Sequence, residues 1–133
     1  MKIVIDCNVL ISAGLKDGVC RALLRKVLEK EEIYLSREVI LEYLLVSRRE
    51  KFKAHQPYLE KLVELIAEAS SIIEPKLSKF HLPDASDKKY IDLAISAEAD
   101  FLITGNLIHF PEKKYEKTEI TSPRNFVDRF LKE

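Results

Sequence analysis

A chain of 133 residues fits one domain, residues 1–133, long enough to bury a core and too short for a second one. With 47% apolar and 33% charged residues and only three glycines, the composition excludes a disordered chain. Lys plus Arg and Asp plus Glu balance at 22 each, which excludes a global positive field, so any polyanion must be met locally.

No apolar run reaches the length of a membrane span or of a signal-peptide core, so the expectation is a cytoplasmic protein with no membrane partner. Cys7 and Cys20 are too few and too isolated for a disulfide framework or a zinc site and read as buried free thiols. The opening Ile3-Val4-Ile5 run has no polar alternation, the pattern of a strand covered on both faces, and Asp6 follows at once. An acid at the carboxyl end of a buried parallel strand faces the crevice where open α/β sheets bind ligands. Taken alone, Asp6 and Asn8 read more readily as turn residues.

The apolar run continues through Val9, Leu10 and Ile11 until Ser12, Ala13 and Gly14 break it. Gly18 then opens a helix striped by Val19, Ala22, Leu23 and Val27. After a Glu31-Glu32 loop, Ile33-Tyr34-Leu35 is a second strand. Ser36 caps a helix over about 37–47, with Val39, Ile40, Tyr43 and Leu44 as its stripe and Glu42 beside it. The charged run Arg48 to Lys53 is a solvated bridge or, with Phe52 and Tyr58 nearby, a contact for RNA phosphates. Pro57 starts a helix carrying Leu59, Leu62, Val63, Ile66 and Ala69 at helical spacing, and Ile72-Ile73 is a brief extended segment.

Residues 75–86 read as a surface loop that delivers Asp84-Ala85-Ser86-Asp87 to a helix striped by Tyr90, Ile91, Ala94 and Ile95. Phe101-Leu102-Ile103 is the third short apolar strand, with Thr104-Gly105-Asn106 directly after it. His109, beside Phe110 and Pro111, reads as a packed loop residue. An edge strand around 119–121 precedes a last helix, capped by Ser122 with Pro123 at its first position and with Phe126, Val127, Phe130 and Leu131 inward.

If the strands run parallel, Asp6, Glu42, Asp84, Asp87 and Asn106 converge at one edge of the sheet. Carboxylates gathered there raise one another's pKa unless a hard cation is bound, and oxygen donors favour Mg²⁺ or Mn²⁺ over zinc. Such a site points to metal-assisted phosphodiester hydrolysis. Taken singly, Asp84 or Asp87 reads as a helix cap, Glu42 as a solvated helix residue and Thr104 as a turn residue.

Four fragments in register carry a resemblance: Ile5 to Leu10, Ser36 to Tyr43, Asp84 to Asp87, and Leu102 to Asn106 together resemble a PIN domain. The likeness is to small single-domain PIN proteins of toxin–antitoxin systems. It implies a three-layer α/β/α sandwich with a central parallel sheet of four or five strands. It also implies a ribonuclease dependent on Mg²⁺ or Mn²⁺ that cuts single-stranded RNA, with an antitoxin covering its acidic cleft and a homodimeric assembly. By position, Asp6, Glu42 and Asp87 match the catalytic, metal-binding acids, with Asp84 as a nearby metal-binding helper, while Asn8 and Thr104 match the supporting polar residues. Asn106 stands where the family has an acid. It offers a carbonyl oxygen to the metal but removes one negative charge, weakening the hold on a second ion. The same departure motivates an alternative, a catalytically idle PIN-like module that binds RNA or a partner. A phosphatase on a similar sheet would want an Asp where Asn8 stands.

Overall fold

A computed structural model of the chain describes residues 1–132. In chain order the strands are β1 (Lys2–Ile5), β2 (Glu32–Leu35), β3 (Ser71–Ile72), β4 (Phe101–Ile103), β5 (Lys114–Tyr115) and β6 (Thr118–Thr121). They form one six-stranded sheet in the order β3-β2-β1-β4-β6-β5. Every neighbouring pair is parallel except β5 and β6. Ile3, Val4 and Ile5 of β1 are fully buried, as the unbroken apolar run requires of a central strand.

The strand expected at the edge, 119–121, lies inside the sheet, bonded to β4 on one side and to β5 on the other. The edge belongs instead to β5, which folds back through a turn in which Glu116 has a left-handed φ of 53°. Two residues of strand in a charged stretch leave no periodicity to read.

The helices are α1 (Cys7–Leu15), α2 (Val19–Lys30), α3 (Arg37–Ser47), α4 (Gln56–Ala69), α5 (Lys88–Ala97) and α6 (Pro123–Phe126). Residues 7–15 are thus a helix, where the pattern suggests an apolar run broken at Ser12. Cys7, Val9, Leu10, Ile11, Ala13 and Gly14 are all buried, because α1 sits beneath α2, α3 and α4. A helix covered almost all round presents no polar face from which a 3.6-residue period can be read. Gly14 is the point of closest approach: a Cβ there would lie 2.2 Å from Leu59 Cδ2 of α4.

Capping follows the sequence. Ser36 Oγ accepts from Val39 N at 3.2 Å, and Ser122 Oγ accepts from Asn125 N at 3.1 Å. Phe130, expected inward, is 39% exposed at the rim of an aromatic cluster with Phe101 and Phe126. The charged bridge contains a short 3₁₀ helix, Glu50–His55. The loop before α5 is anchored by buried Asp92, which accepts from Ser78 N (2.9 Å), Ser78 Oγ (2.6 Å) and Lys88 Nζ (2.9 Å).

The progression β1 to β2 to β3 reverses on the way to β4. With right-handed crossovers this reversal sends α5 to the opposite face from α2 and α4. α5 packs directly on β1, β2 and β4, completing three layers. The topological switch point therefore falls between β1 and β4, where α/β folds open a crevice at the carboxyl ends of the strands. Both cysteines are free and buried. Among the described residues no helix is long and apolar enough to cross a membrane.

Candidate functional site

In the β1–β4 pair Ile5 lies opposite Ile103, so Asp6 and Thr104 leave the sheet side by side at the switch point. Asp6 N donates to Ile103 O at 3.0 Å, extending the ladder by one rung. Asp6 occupies the N-cap position of α1, but its carboxylate makes no capping bond. Instead Asp6 Oδ2 accepts from Thr104 Oγ1 at 2.8 Å and from Asn8 Nδ2 at 3.2 Å. Asn8 Oδ1 accepts from Gly105 N at 2.9 Å, and Thr104 Oγ1 accepts from Asn106 N at 3.0 Å. Asn8 and Thr104 thus clip the end of β1 to the end of β4, with Asp6 held between them.

Two tyrosines and a lysine position the second acid. Tyr43, buried on α3, donates to Ile5 O. Tyr90 of α5 accepts from Cys7 N at 3.2 Å, satisfying one of the N–H groups that a helix start leaves open, and donates to Glu42 Oε1. Lys89 Nζ lies 2.8 Å from Glu42 Oε2.

Asp87 ends the 3₁₀ turn Ala85–Asp87 ahead of α5 and is 8% exposed. Its Oδ2 is buried and accepts no hydrogen bond, although His109 Nδ1 stands 2.9 Å away. Asp84 is exposed, its Oδ1 accepting from Ser86 N (2.9 Å) and Ser86 Oγ (2.7 Å). Asn106 turns its amide nitrogen to 3.0 Å from His109 Nε2.

One pocket of about 580 Å³ collects Asp6, Asn8, Glu42, Asp87, Asn106 and His109, with Arg49 and Phe52 also on its wall. Asp84 is not part of its lining, and the candidate ligands in and around it are grouped unevenly. Among the described residues, the one triad of candidate ligands whose atoms all lie within 4.8 Å of one another is Asp84, Asp87 and His109. Asp6 and Glu42 share the pocket without joining so tight a group, being drawn toward Thr104 and Lys89 respectively. A second cavity of about 520 Å³, beyond Lys89 and lined by Ser36, Ile73, Pro75 and Asp92, contains none of the expected acids.

The sequence model for the PIN domain matches residues 2–107, four-fifths of the chain and the whole of this site up to Asn106. The chain belongs to the PIN-domain family. Its fold is similar to that in a crystal structure of VapBC2 from Rickettsia felis bound to a DNA fragment from their promoter. That match has a TM-score of 0.63 at 18% identity and covers 92% of this chain and 98% of that one. At such identity the likeness shows the fold. No curated protein sequence matches the chain.

The electrostatics of the PIN pocket follow from burial. The Asp6 carboxyl is pushed up to about 6, first by burial and then by the charges of Asp87 and Glu42, against the stabilising bond from Thr104. Burial is also the largest influence raising Asp87, with Asp84 and Glu42 adding and His109 opposing. Asp84 is held below the ordinary carboxylate range by its bonds from Ser86. The Cys7 thiol is driven up to about 12 by burial, so it is no nucleophile at neutral pH.

Sequence reasoning passed over Lys89, Tyr90 and Tyr43, and it read His109 as a packed loop residue, whereas the side chain is 39% exposed and lines the pocket. Both tyrosines lie in apolar stripes and read as core. The available signal was adjacency, since Tyr43 follows Glu42 and Lys89 and Tyr90 follow Asp87 by two and three residues. For His109 the signal was its place three residues after Asn106, one turn of a 3₁₀ helix.

Proposed function

We propose that this PIN-domain protein is a metal-dependent endoribonuclease of the toxin type, acting on single-stranded RNA in the cytoplasm. The observation that carries the reading is the state of Asp6 and Asp87. Two buried carboxylates at the switch point are both raised in pKa, and one has an oxygen without a hydrogen bond, the strain that a bound cation relieves. The pocket acids supply oxygen donors, which suit Mg²⁺ or Mn²⁺.

Asp6, Glu42 and Asp87 are the proposed catalytic acids, with Asp84 and Asn106 as further candidates for holding the ion. When bound, a divalent cation lowers the pKa of a water and neutralises the charge that develops on the phosphodiester. Thr104 and Asn8 fix the Asp6 carboxylate, and Tyr90 with Lys89 fixes Glu42. Arg49 on the pocket wall would meet RNA phosphates, and Phe52 beside it offers a face for a base.

The solved VapBC2 assembly, a toxin–antitoxin complex, supports an antitoxin partner. Exposed Leu41 and Leu45 on α3, and Tyr58 and Leu65 on α4, support a homodimer.

Purified protein incubated with short end-labelled RNA in Mn²⁺, Mg²⁺ or EDTA tests the nuclease. Cleavage abolished by EDTA and slowed at least ~100-fold in Asp6→Asn and Asp87→Asn is expected. A second reading, an idle module that binds RNA or a partner, is favoured by Asn106 and by the Lys89–Glu42 pair, which together remove negative charge from the site. RNA bound but left intact under every metal condition would establish that alternative.

A further inference from the structure

We propose that His109 is a nitrogen ligand of the metal site, oriented by Asn106, and that it takes the place of the acid missing at position 106. The proposal rests on the metal-site reading above and specifies its donor set. Leu107–His109 is a single 3₁₀ turn that swings the imidazole back over the pocket, with Nε2 3.0 Å from the Asn106 amide and Nδ1 2.9 Å from Asp87 Oδ2.

That second contact is an ion-pair contact, and Asp87 Oδ2, which is buried, accepts no hydrogen bond beside it. Two donor atoms 2.9 Å apart also have the spacing of neighbouring ligands on one ion. Adjacent donors about 2.1 Å from an octahedral cation stand roughly 3 Å apart. An Asp84 carboxylate oxygen completes the set, within 4.8 Å of both. Asp87 itself is 8% exposed, so water has little access to this oxygen and His109 is its close polar neighbour, where buried polar atoms ordinarily accept a hydrogen bond.

Asn106 has a defined part in this arrangement. A histidine that ligates through one nitrogen almost always donates its other N–H to an oxygen acceptor, which fixes the tautomer and the ring plane. With the Asn106 amide nitrogen toward Nε2, the ring proton sits on Nδ1. A half-turn of the amide brings its carbonyl oxygen to Nε2, and the Nδ1 lone pair is then free for the ion. The residue that departs from the family pattern thereby acts through His109.

An imidazole in the donor set changes which cations are preferred. Mg²⁺ favours oxygen, whereas Mn²⁺, and more strongly Co²⁺ and Ni²⁺, accept nitrogen. Titration calorimetry with each metal alone reads this without reference to catalysis. His109→Ala, and His109→Gln to keep the bulk, are expected to weaken Mn²⁺ and Ni²⁺ binding at least tenfold while changing Mg²⁺ affinity less than threefold. Asn106→Ala is expected to weaken Mn²⁺ severalfold, as loss of an orienting partner does. Circular dichroism verifies that the variants are folded. In Co²⁺-loaded protein a strongly shifted imidazole N–H resonance is expected, absent from both His109 variants. Equal Mn²⁺ and Ni²⁺ affinity in wild type and His109 variants, with binding still lost in Asp87→Asn, overturns the proposal and leaves the metal site intact. No binding of any divalent ion by the wild type overturns both.

Discussion

Asp6 bears on stability as well as on the proposed function. Its carboxyl holds a proton up to about pH 6 in the folded chain, whereas an unfolded Asp releases it near pH ~4. Between those values the folded state binds more protons, so this group's contribution to stability falls as pH rises from about 4 to about 6 and stays low above. Asp6→Asn removes the penalty. In EDTA at pH 7 the variant should be more stable than wild type by about 3 kcal/mol, a gain that shrinks toward pH 4. Denaturant melts of both proteins across that range read the difference directly, and a constant difference at all pH would contradict it. At this scale much of the site was legible in the sequence, because Asp6, Asn8 and Thr104 flank strand ends whose apolar runs are plain. Lys89 and Tyr90 were not, since their partner Glu42 lies 47 and 48 residues away and only the packing of α5 beside α3 joins them.

Among the elements, α1 is the one that composition disguised and packing reveals. Its glycine is a contact residue, since at Gly14 the α4 residue Leu59 fills the space a side chain would take. Replacing Gly by Ala in a helix favours the helix by up to ~1 kcal/mol. Overpacking against a fully buried leucine costs about 1–3 kcal/mol. Because the added carbon would sit 2.2 Å from Leu59 Cδ2 and 3.3 Å from its Cγ, the packing loss prevails. Gly14→Ala should lose about 1 kcal/mol or more in urea melts. In a Leu59→Ala background the same change should be neutral or stabilising. Helices α2 to α5 announced themselves through amphipathic stripes and caps, because each has a solvated side. Strand β3 shows in the sequence as the brief extended Ile72-Ile73 segment, one residue from its place at Ser71–Ile72, whereas β5, two residues long, carries too little pattern to be told from loop.

The whole molecule leaves apolar surface uncovered. α4 commits Leu59, Val63 and Ile66 of its apolar stripe to the core. α3 exposes two leucines, Leu41 at 55% and Leu45 at 59%, four residues apart on one face. Sedimentation at tens of micromolar should give twice the chain mass, and Leu41→Glu with Leu45→Glu should return it to monomer. A monomeric wild type would remove the case for a homodimer. Sequence alone determined the α/β class, the central buried strands and the caps, and it singled out the candidate acids, because these are written in local periodicity and in residue chemistry that needs no partner. Only the tertiary structure decided that the sheet has a sixth, antiparallel strand, that Glu42 is held by Tyr90 and Lys89, and that His109 stands beside Asp87. Those contacts join segments whose spacing in the chain has no fixed relation to their distance in space, so no local pattern encodes them.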